Sequence, residues 1–365
     1  MTDNPREHLL FVGAGASAEF GVPTMQEMVS KFREKLNTEK TDLQGLYDKI
    51  CEAARKAGVD PDLETVLSIL TGISNVDRPS EIDILNKLFL TESKLFSSED
   101  KALSQTLLEQ IFKFVQEVCY IDPDGAEKGS KDKFSKKIKD LYEKLFKAVE
   151  LINIYQELSN QIIFTTNYDN AFDILYEQSP EGHTLFTREG GGMVLKNIQD
   201  TYMRGGVQIA NLHGSLSWRR KEGCRDIIQV PPGRSSFGGS DLYPASILIY
   251  PVKQKEMYVY PWLDLFFLFR RALYASKVLI FIGYSFNDVY LRSLVDQCLK
   301  REFQTGSSLE LNSLQTKMFI VDRSNGEKIK EKFSKEVQDQ IQVIDKPFSG
   351  CFKELHAALY PGDKK

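Results

Sequence analysis

Short apolar runs ending in polar clusters alternate along this chain with segments whose apolar positions recur every three and four residues. Six runs read as strands, His8 to Val12, one that starts at Gln161, Val207 to Leu212, Val278 to Ile282, Lys317 to Val321 and Gln342 to Ile344, and Ile247 to Tyr250, before Pro251, reads as a short strand or a strand edge. The run Val278 to Ile282 is apolar throughout, as a strand buried on both faces of a parallel sheet requires. Helices are expected from near Thr24, over AFDILYEQ after Asn170, over Trp262 to Ala275, and from about Asp288 through Cys298. From about Leu36 to Ser159 the helical period takes over, as in Leu63, Val66, Leu67, Leu70 and in Ile111, Phe112, Val115. Pro61, Pro79 and Asp122-Pro123-Asp124-Gly125 divide that stretch into five or six helices. The alternation predicts an α/β fold: a Rossmann-like doubly wound parallel sheet whose first helical connection is enlarged by a helical insertion. The boundaries expected are 1–36 and 160–350 for the core, 37–159 for the insertion and 351–365 for a tail.

The ends of these strands carry the chemistry. In an open α/β sheet, ligands sit beyond the carboxyl ends of the strands, so polar residues gathered there are placed for binding or catalysis. The first strand runs into Gly13-Ala14-Gly15-Ala16-Ser17. Such a loop is either a phosphate cradle, with small residues and amides facing an anion, or a tight turn with no ligand. The second strand delivers Thr165, Thr166, Asn167, Tyr168 and Asp169, which also suit an Asx turn capping the next helix. The third delivers His213-Gly214-Ser215, and His213 is the best general-base candidate among four histidines. The fourth ends in Gly283-Tyr284-Ser285-Phe286-Asn287-Asp288, where Gly283 permits close approach, Ser285 can donate to a phosphate, and Asn287 or Asp288 can cap a helix. A fifth ends at Asp322-Arg323. Gly190 to Gly192, Gly205-Gly206 and Gly238-Gly239 mark connections, the first two placed to close over a ligand.

Composition narrows the field. The chain has 365 residues, 42% hydrophobic and 27% charged, with 47 basic against 51 acidic side chains and a net charge of −4. That balance argues against a broad nucleic-acid surface, and no direct nucleic-acid binding is expected. Lys128, Lys131, Lys133, Lys136, Lys137 and Lys139 read first as a solvated helix face and second as a docking patch for an acidic partner or a phosphate backbone. The amino terminus shows no secretory pattern, and the most apolar region, Leu263 to Phe286, is broken by Arg270, Arg271 and Lys277. A cytoplasmic protein without a membrane span is therefore expected. Cys51, Cys119, Cys224, Cys298 and Cys351 are scattered without a C-x-x-C pair, which suits free thiols and argues against a four-cysteine zinc site.

Taken together, GAGAS, TTNYD, LHGS and GYSFND resemble, in that order, the motifs of the sirtuin superfamily, and more closely its bacterial sirtuin-like branch of antiphage defence. The resemblance covers roughly 1–35 and 160–345 and implies NAD as the ligand. It implies that Gly13, Ala14, Gly15, Ser17, Thr166, Gly283 and Ser285 border the NAD phosphates and ribose, that Asp322 approaches the adenine ribose, and that Asn167, Asp169 and His213 are catalytic. Deacylating sirtuins carry a zinc module with paired C-x-x-C motifs and a P-D-F-R type sequence after the first loop. This chain has neither, with Gly21-Val22-Pro23-Thr24-Met25 in the second place. The expected reaction is hydrolysis of the nicotinamide N-glycosidic bond, with no metal. An NAD-dependent deacylase and a silent NAD or ADP-ribose sensor are the alternatives. The branch also implies gating, since an unrestrained NAD hydrolase would exhaust its cell. A homo-oligomer, or a partner such as a HerA-like ATPase or a short Argonaute, is the gate expected.

Overall fold

The computed structural model describes residues 8–39, 42–58, 61–74, 97–150, 161–175, 186–189, 192–195, 207–220, 227–230, 236–237, 240–241, 260–300 and 316–362. The connections at 190–191, 205–206 and 238–239 and the run 247–250 lie outside the described residues. The chain forms two compact units, one of them the helical stretch 22–120 and the other the unit that holds the sheets.

The helical unit is built from α2 (Met25–Glu39), α3 (Leu43–Lys56), α4 (Leu63–Ser74) and α5 (Ser98–Cys119), numbered after α1 (Ala14–Ser17) of the other unit. Its centre is aromatic: the Phe32 ring lies 5.4 Å from Tyr47 and 5.1 Å from Phe114, and the Tyr47 hydroxyl donates to the Val29 carbonyl. Helix α5 starts at a capping box, in which Ser97 and Asp100 satisfy each other's backbone amides.

The sheet unit contains a six-stranded, wholly parallel sheet in the order β12-β11-β10-β1-β2-β5. Its strands are β1 (His8–Val12), β2 (Gln161–Thr165), β5 (Val207–Asn211), β10 (Val278–Ile282), β11 (Lys317–Asp322) and β12 (Ile341–Asp345). Counted along the chain, the spatial order is 3-2-1-4-5-6, the doubly wound arrangement read from the alternating pattern. Strand β1 is central, pairing Leu10 with Ile280 on one side and Ile163 on the other. Leu9 to Val12, Ile163, Phe164 and Leu279 to Ile282 are almost wholly buried, which accounts for their lack of polar alternation.

Helices α6 (Phe134–Ala148), α7 (Ala171–Leu175), α8 (Trp262–Ala275), α9 (Val289–Lys300), α10 (Gly326–Lys330) and α11 (Phe352–Leu359) belong to the same unit. Helix α6 lies within the stretch read from sequence as insertion, and α11 within the expected tail. Both are placed with the sheet by their apolar faces: Tyr142 of α6 packs 4.9 Å from Phe172 and 5.4 Å from Phe348, and His356 of α11 meets the Ala148 carbonyl. Lys133, Lys136 and Lys137 pair with Asp124, Asp132 and Glu127, so this part of the lysine run is a solvated, internally neutralised surface.

The region after α7 is more regular than its sequence suggests. Strands β3 (Phe186–Glu189), β4 (Gly192–Leu195), β6 (Trp218–Arg220) and β7 (Ile227–Gln229) form an antiparallel sheet in the order β3-β4-β7-β6, while β8 (Ser236–Phe237) pairs with β9 (Ser240–Asp241). Strands of three or four residues leave too short an alternation to read. Arg219, taken from sequence as part of a basic run, is buried, and its Nη1 donates to the carbonyls of Leu216 and Trp218. Trp218 stacks on Trp262, with ring centroids 6.2 Å apart.

Candidate functional site

The four polar strand ends come from four neighbouring strands, β10, β1, β2 and β5, whose carboxyl ends share one edge of the sheet. Backbone hydrogen bonds join the end of β10 to that of β1 and the end of β2 to that of β5. Gly13 N–H donates to Ile282 O and Gly15 N–H to Gly283 O, both at 2.8 Å; Leu212 N–H donates to Thr165 O at 2.8 Å and Leu216 N–H to Tyr168 O at 3.1 Å.

The glycines serve this joining directly. A Cβ on Gly13 would stand 2.5 Å from the Gly283 carbonyl oxygen, one on Gly15 would stand 2.8 Å from Gly283 Cα, and one on Gly283 would meet Ala16 N. Gly283 also has φ +61°, a conformation that costs any L side chain. The backbone approach expected toward a phosphate is thus made between the two loops themselves. The amides of Gly13, Gly15 and Ala16 all donate to protein carbonyls. Ala14, half-buried, opens the short helix α1 directly after Gly13, and the longer α2 starts at Met25, close to the expected Thr24.

Ser17 lies at the end of α1 and is completely buried. Its Oγ accepts from Asn167 Nδ2 at 2.9 Å. The Ser17 hydroxyl also bonds the Asp169 carboxyl and, with the amides of Ala171 and Asp169, offsets part of the upward shift that burial imposes on that group. Asp169 Oδ1 accepts from Ala171 N–H at 3.0 Å, so the Asx turn read as the alternative is present as well. Thr165 Oγ1 accepts from Asn167 N–H at 3.0 Å, and Thr166 beside it is half-buried. Asn170 clamps the backbone of Ile121 through both ends of its amide. The consequence falls on Asn167. Its Nδ2 and backbone are fixed, while its Oδ1 is buried and has no hydrogen-bond partner. A buried amide oxygen left unpaired is costly unless a donor arrives with a ligand or water.

His213 is 5% exposed, and its ring lies 6.5 Å from that of Tyr168. Its Nε2 is 3.4 Å from Asp288 Oδ2. Reading from sequence assigned Asp288 only to a helix cap. The cap is real, since Asp288 Oδ1 accepts from Tyr290 and Leu291 N–H, but the second oxygen faces a histidine 75 positions earlier in the chain, and no local signal reveals that. Ser285 is exposed and its carbonyl accepts from Lys332 Nζ, which also holds Asn287 Oδ1. Asp322 stands one strand farther out, on β11, with Oδ1 accepting from the amides of Ser324 and Asn325.

Asp173 is a further acidic group that sequence reading passed over. Burial pushes its carboxyl up to about 6, against hydrogen bonds from Ser217 and Gln229 and reinforced by the charge of Asp169. Gln229 Nε2 donates to it at 2.6 Å.

Residues 161–340 match the family described as the SIR2-like domain. Over those residues the chain is SIR2-like. The match takes in the ends of β2, β5, β10 and β11, while the glycine loop precedes it. No curated protein matches the sequence. Among solved structures, a Sir2 homologue in complex with NAD is 13% identical over 98% of this chain and 91% of that one, with a TM-score of 0.40. A mutant Sir2 homologue with 2′-O-acetyl ADP-ribose is 12% identical over 99% and 95%, at 0.39, and another with ADP-ribose is 14% identical over 98% and 93%, at 0.39. Among the described residues, no helix is long and apolar enough to cross a membrane, and no three His, Cys, Asp or Glu side chains group as a metal site.

Proposed function

We propose that this sirtuin-like chain binds NAD and hydrolyses its nicotinamide N-glycosidic bond, giving nicotinamide and ADP-ribose. The observation that carries the reading is Asn167: a buried amide locked by Ser17 and Thr165, with one acceptor oxygen left for a donor, at the shared edge of four motif-bearing strand ends.

The chemistry asks little of the protein beyond position. Water adds to the anomeric carbon as the bond to the pyridinium nitrogen breaks, and the electron pair leaves with nicotinamide, neutralising its charge. Asn167 Oδ1 accepts a hydrogen bond from that water or from a ribose hydroxyl and so fixes the line of attack. His213 takes the proton released by the water, directly or through a ribose hydroxyl. Asp169, enclosed and tied to Ser17 and Ala171, acts by holding Asn167 rather than by touching the substrate. Gly13, Ala14, Gly15, Thr166, Gly283 and Ser285 border the phosphate and ribose side, and Asp322, with one carboxylate oxygen engaged by its own turn, lies on the adenosine side. The absence of paired C-x-x-C motifs favours hydrolysis over deacylation. As a hydrolase of a shared metabolite the enzyme requires a gate, and we place it as an NAD-depleting effector of antiphage defence, held in check through self-assembly or a protein partner.

Time-resolved product analysis with NAD tests this reading. Wild type, alone and with any co-purifying protein, is expected to release nicotinamide and ADP-ribose. His213→Ala and Asn167→Ala should each lower the rate by about 100- to 10,000-fold. NAD that binds but stays intact under every condition would leave a sensor, and nicotinamide released only with an acylated peptide would make the chain a deacylase.

A further inference from the structure

We infer that Asp288 is a positioning residue for His213, setting which ring nitrogen carries the proton; the inference rests on the NAD-hydrolase reading of the same site. The two carboxylate oxygens of Asp288 are engaged differently. Oδ1 accepts the amides of Tyr290 and Leu291 at 3.0 and 3.1 Å and so caps α9, a twelve-residue helix, at its amino end. Oδ2 lies 3.4 Å from His213 Nε2, with both side chains about nine-tenths buried or more. An acceptor-only carboxylate facing Nε2 selects the neutral ring protonated there, which makes Nδ1 its acceptor atom. A base oriented by a third group in this way is the general logic of an activated general base.

The loop carrying Asp288 is held from several sides, so its carboxylate is fixed before any ligand arrives. Phe286 is fully buried at φ +54°, with its ring 4.7 Å from Phe281 and from Tyr284 and 4.9 Å from Phe333. Arg292 Nη1 donates to the Phe286 carbonyl at 2.9 Å, and Lys332 Nζ donates to the Ser285 carbonyl and to Asn287 Oδ1. Helix α9 and the histidine loop after β5 are therefore coupled through one side chain.

Asp288→Asn separates the two engagements. Asparagine caps a helix as well as aspartate does, using its oxygen. Its NH2 then faces His213 Nε2 and demands an acceptor there, which drives the ring proton to Nδ1. The experiment is 15N NMR of the full chain labelled at its four histidines, with His213→Gln to assign the signal, alongside NAD-binding and turnover measurements. Wild type is expected to show the Nε2–H tautomer and Asp288→Asn the Nδ1–H form. NAD affinity should stay within about threefold, kcat should fall by about 100-fold or more, and the melting temperature should move by less than about 4 °C. Asp288→Ala, which removes cap and carboxylate together, should lose the tautomer preference and melt earlier. An unchanged tautomer in Asp288→Asn overturns the inference, as does a switched tautomer with unchanged kcat. A wild type that leaves NAD intact while its ring still responds to Asp288→Asn sinks the hydrolase reading and sustains the pair.

Discussion

Gly283 carries two constraints at once, a positive φ and a Cβ direction filled by the backbone of Ala16 and Gly15. Gly58, with φ +72° and nothing within 4 Å of a Cβ, carries only the first. The pair separates conformational strain from packing. Gly58→Ala should cost about 1 kcal/mol. Gly283→Ala, which must also push two loops apart, should cost about 3 kcal/mol or more. Urea denaturation of the two variants measures the difference, and equal losses would show that the contact between the loops adds nothing. Sequence alone marks Gly283 as permissive at a strand end, but its reason is a neighbour 267 positions earlier in the chain, Ala16, and distance along the chain hides that. The same holds for Ser17. Its position in a glycine loop suggests a phosphate, whereas the fold buries it between Asn167 and Asp169.

At the scale of elements, the short helix α7 places two carboxyls one turn apart, Asp169 just before it and Asp173 within it, and burial raises both. A carboxyl whose native pKa exceeds its unfolded value holds its proton preferentially in the folded state. Native stability from Asp173 is therefore full near pH 4 and is lost as pH climbs to about 6. Asp173→Asn keeps an acceptor for Gln229 and removes the ionisation. It should flatten the stability profile over that window and raise stability at pH 7 by roughly 1 to 3 kcal/mol. Thermal melts from pH 4 to 8 check this, and an unaltered slope would place the proton elsewhere. Strands β1 and β10 were legible because burial on both faces leaves an unmistakable apolar run, and α8 because its apolar stretch is long: the observed ranges of all three coincide with those read from sequence. The antiparallel sheet of β3, β4, β6 and β7 was not, because its strands are too short for periodicity to outweigh the glycines and charges around them.

For the whole molecule, the central place of β1 has a consequence for folding. The family match begins at residue 161, yet β1 bridges β10 and β2, and without it the sheet would be cut into β10-β11-β12 and β2-β5. Each piece would expose a long apolar parallel edge. A fragment of residues 161–365, which keeps β12 and lacks β1, is therefore expected to lack a cooperative unfolding transition, whereas the full chain shows one or two, in keeping with its two compact units. Calorimetry on both decides it, and a cooperatively folded fragment would show that β1 is dispensable. The lack of local warning is again a matter of chain distance: about 150 residues, including a whole helical unit, separate β1 from the strand it pairs with at Thr165.

What the sequence determined by itself was the set of elements and the chemistry at their ends, since apolar runs, glycine loops and polar strand termini are local in the chain. Its order of strands and helices also implied a doubly wound sheet, because short right-handed connections admit few alternatives. Tertiary structure alone decided which of those ends meet. It set Asn167 against Ser17 with one oxygen unpaired, made the helix cap Asp288 the neighbour of His213 as well, packed the first glycine loop against a second, and placed α6 with the sheet. These are contacts between residues tens to hundreds of positions apart. They arise from packing apolar faces together, and the position of each polar group then follows from where its strand is buried.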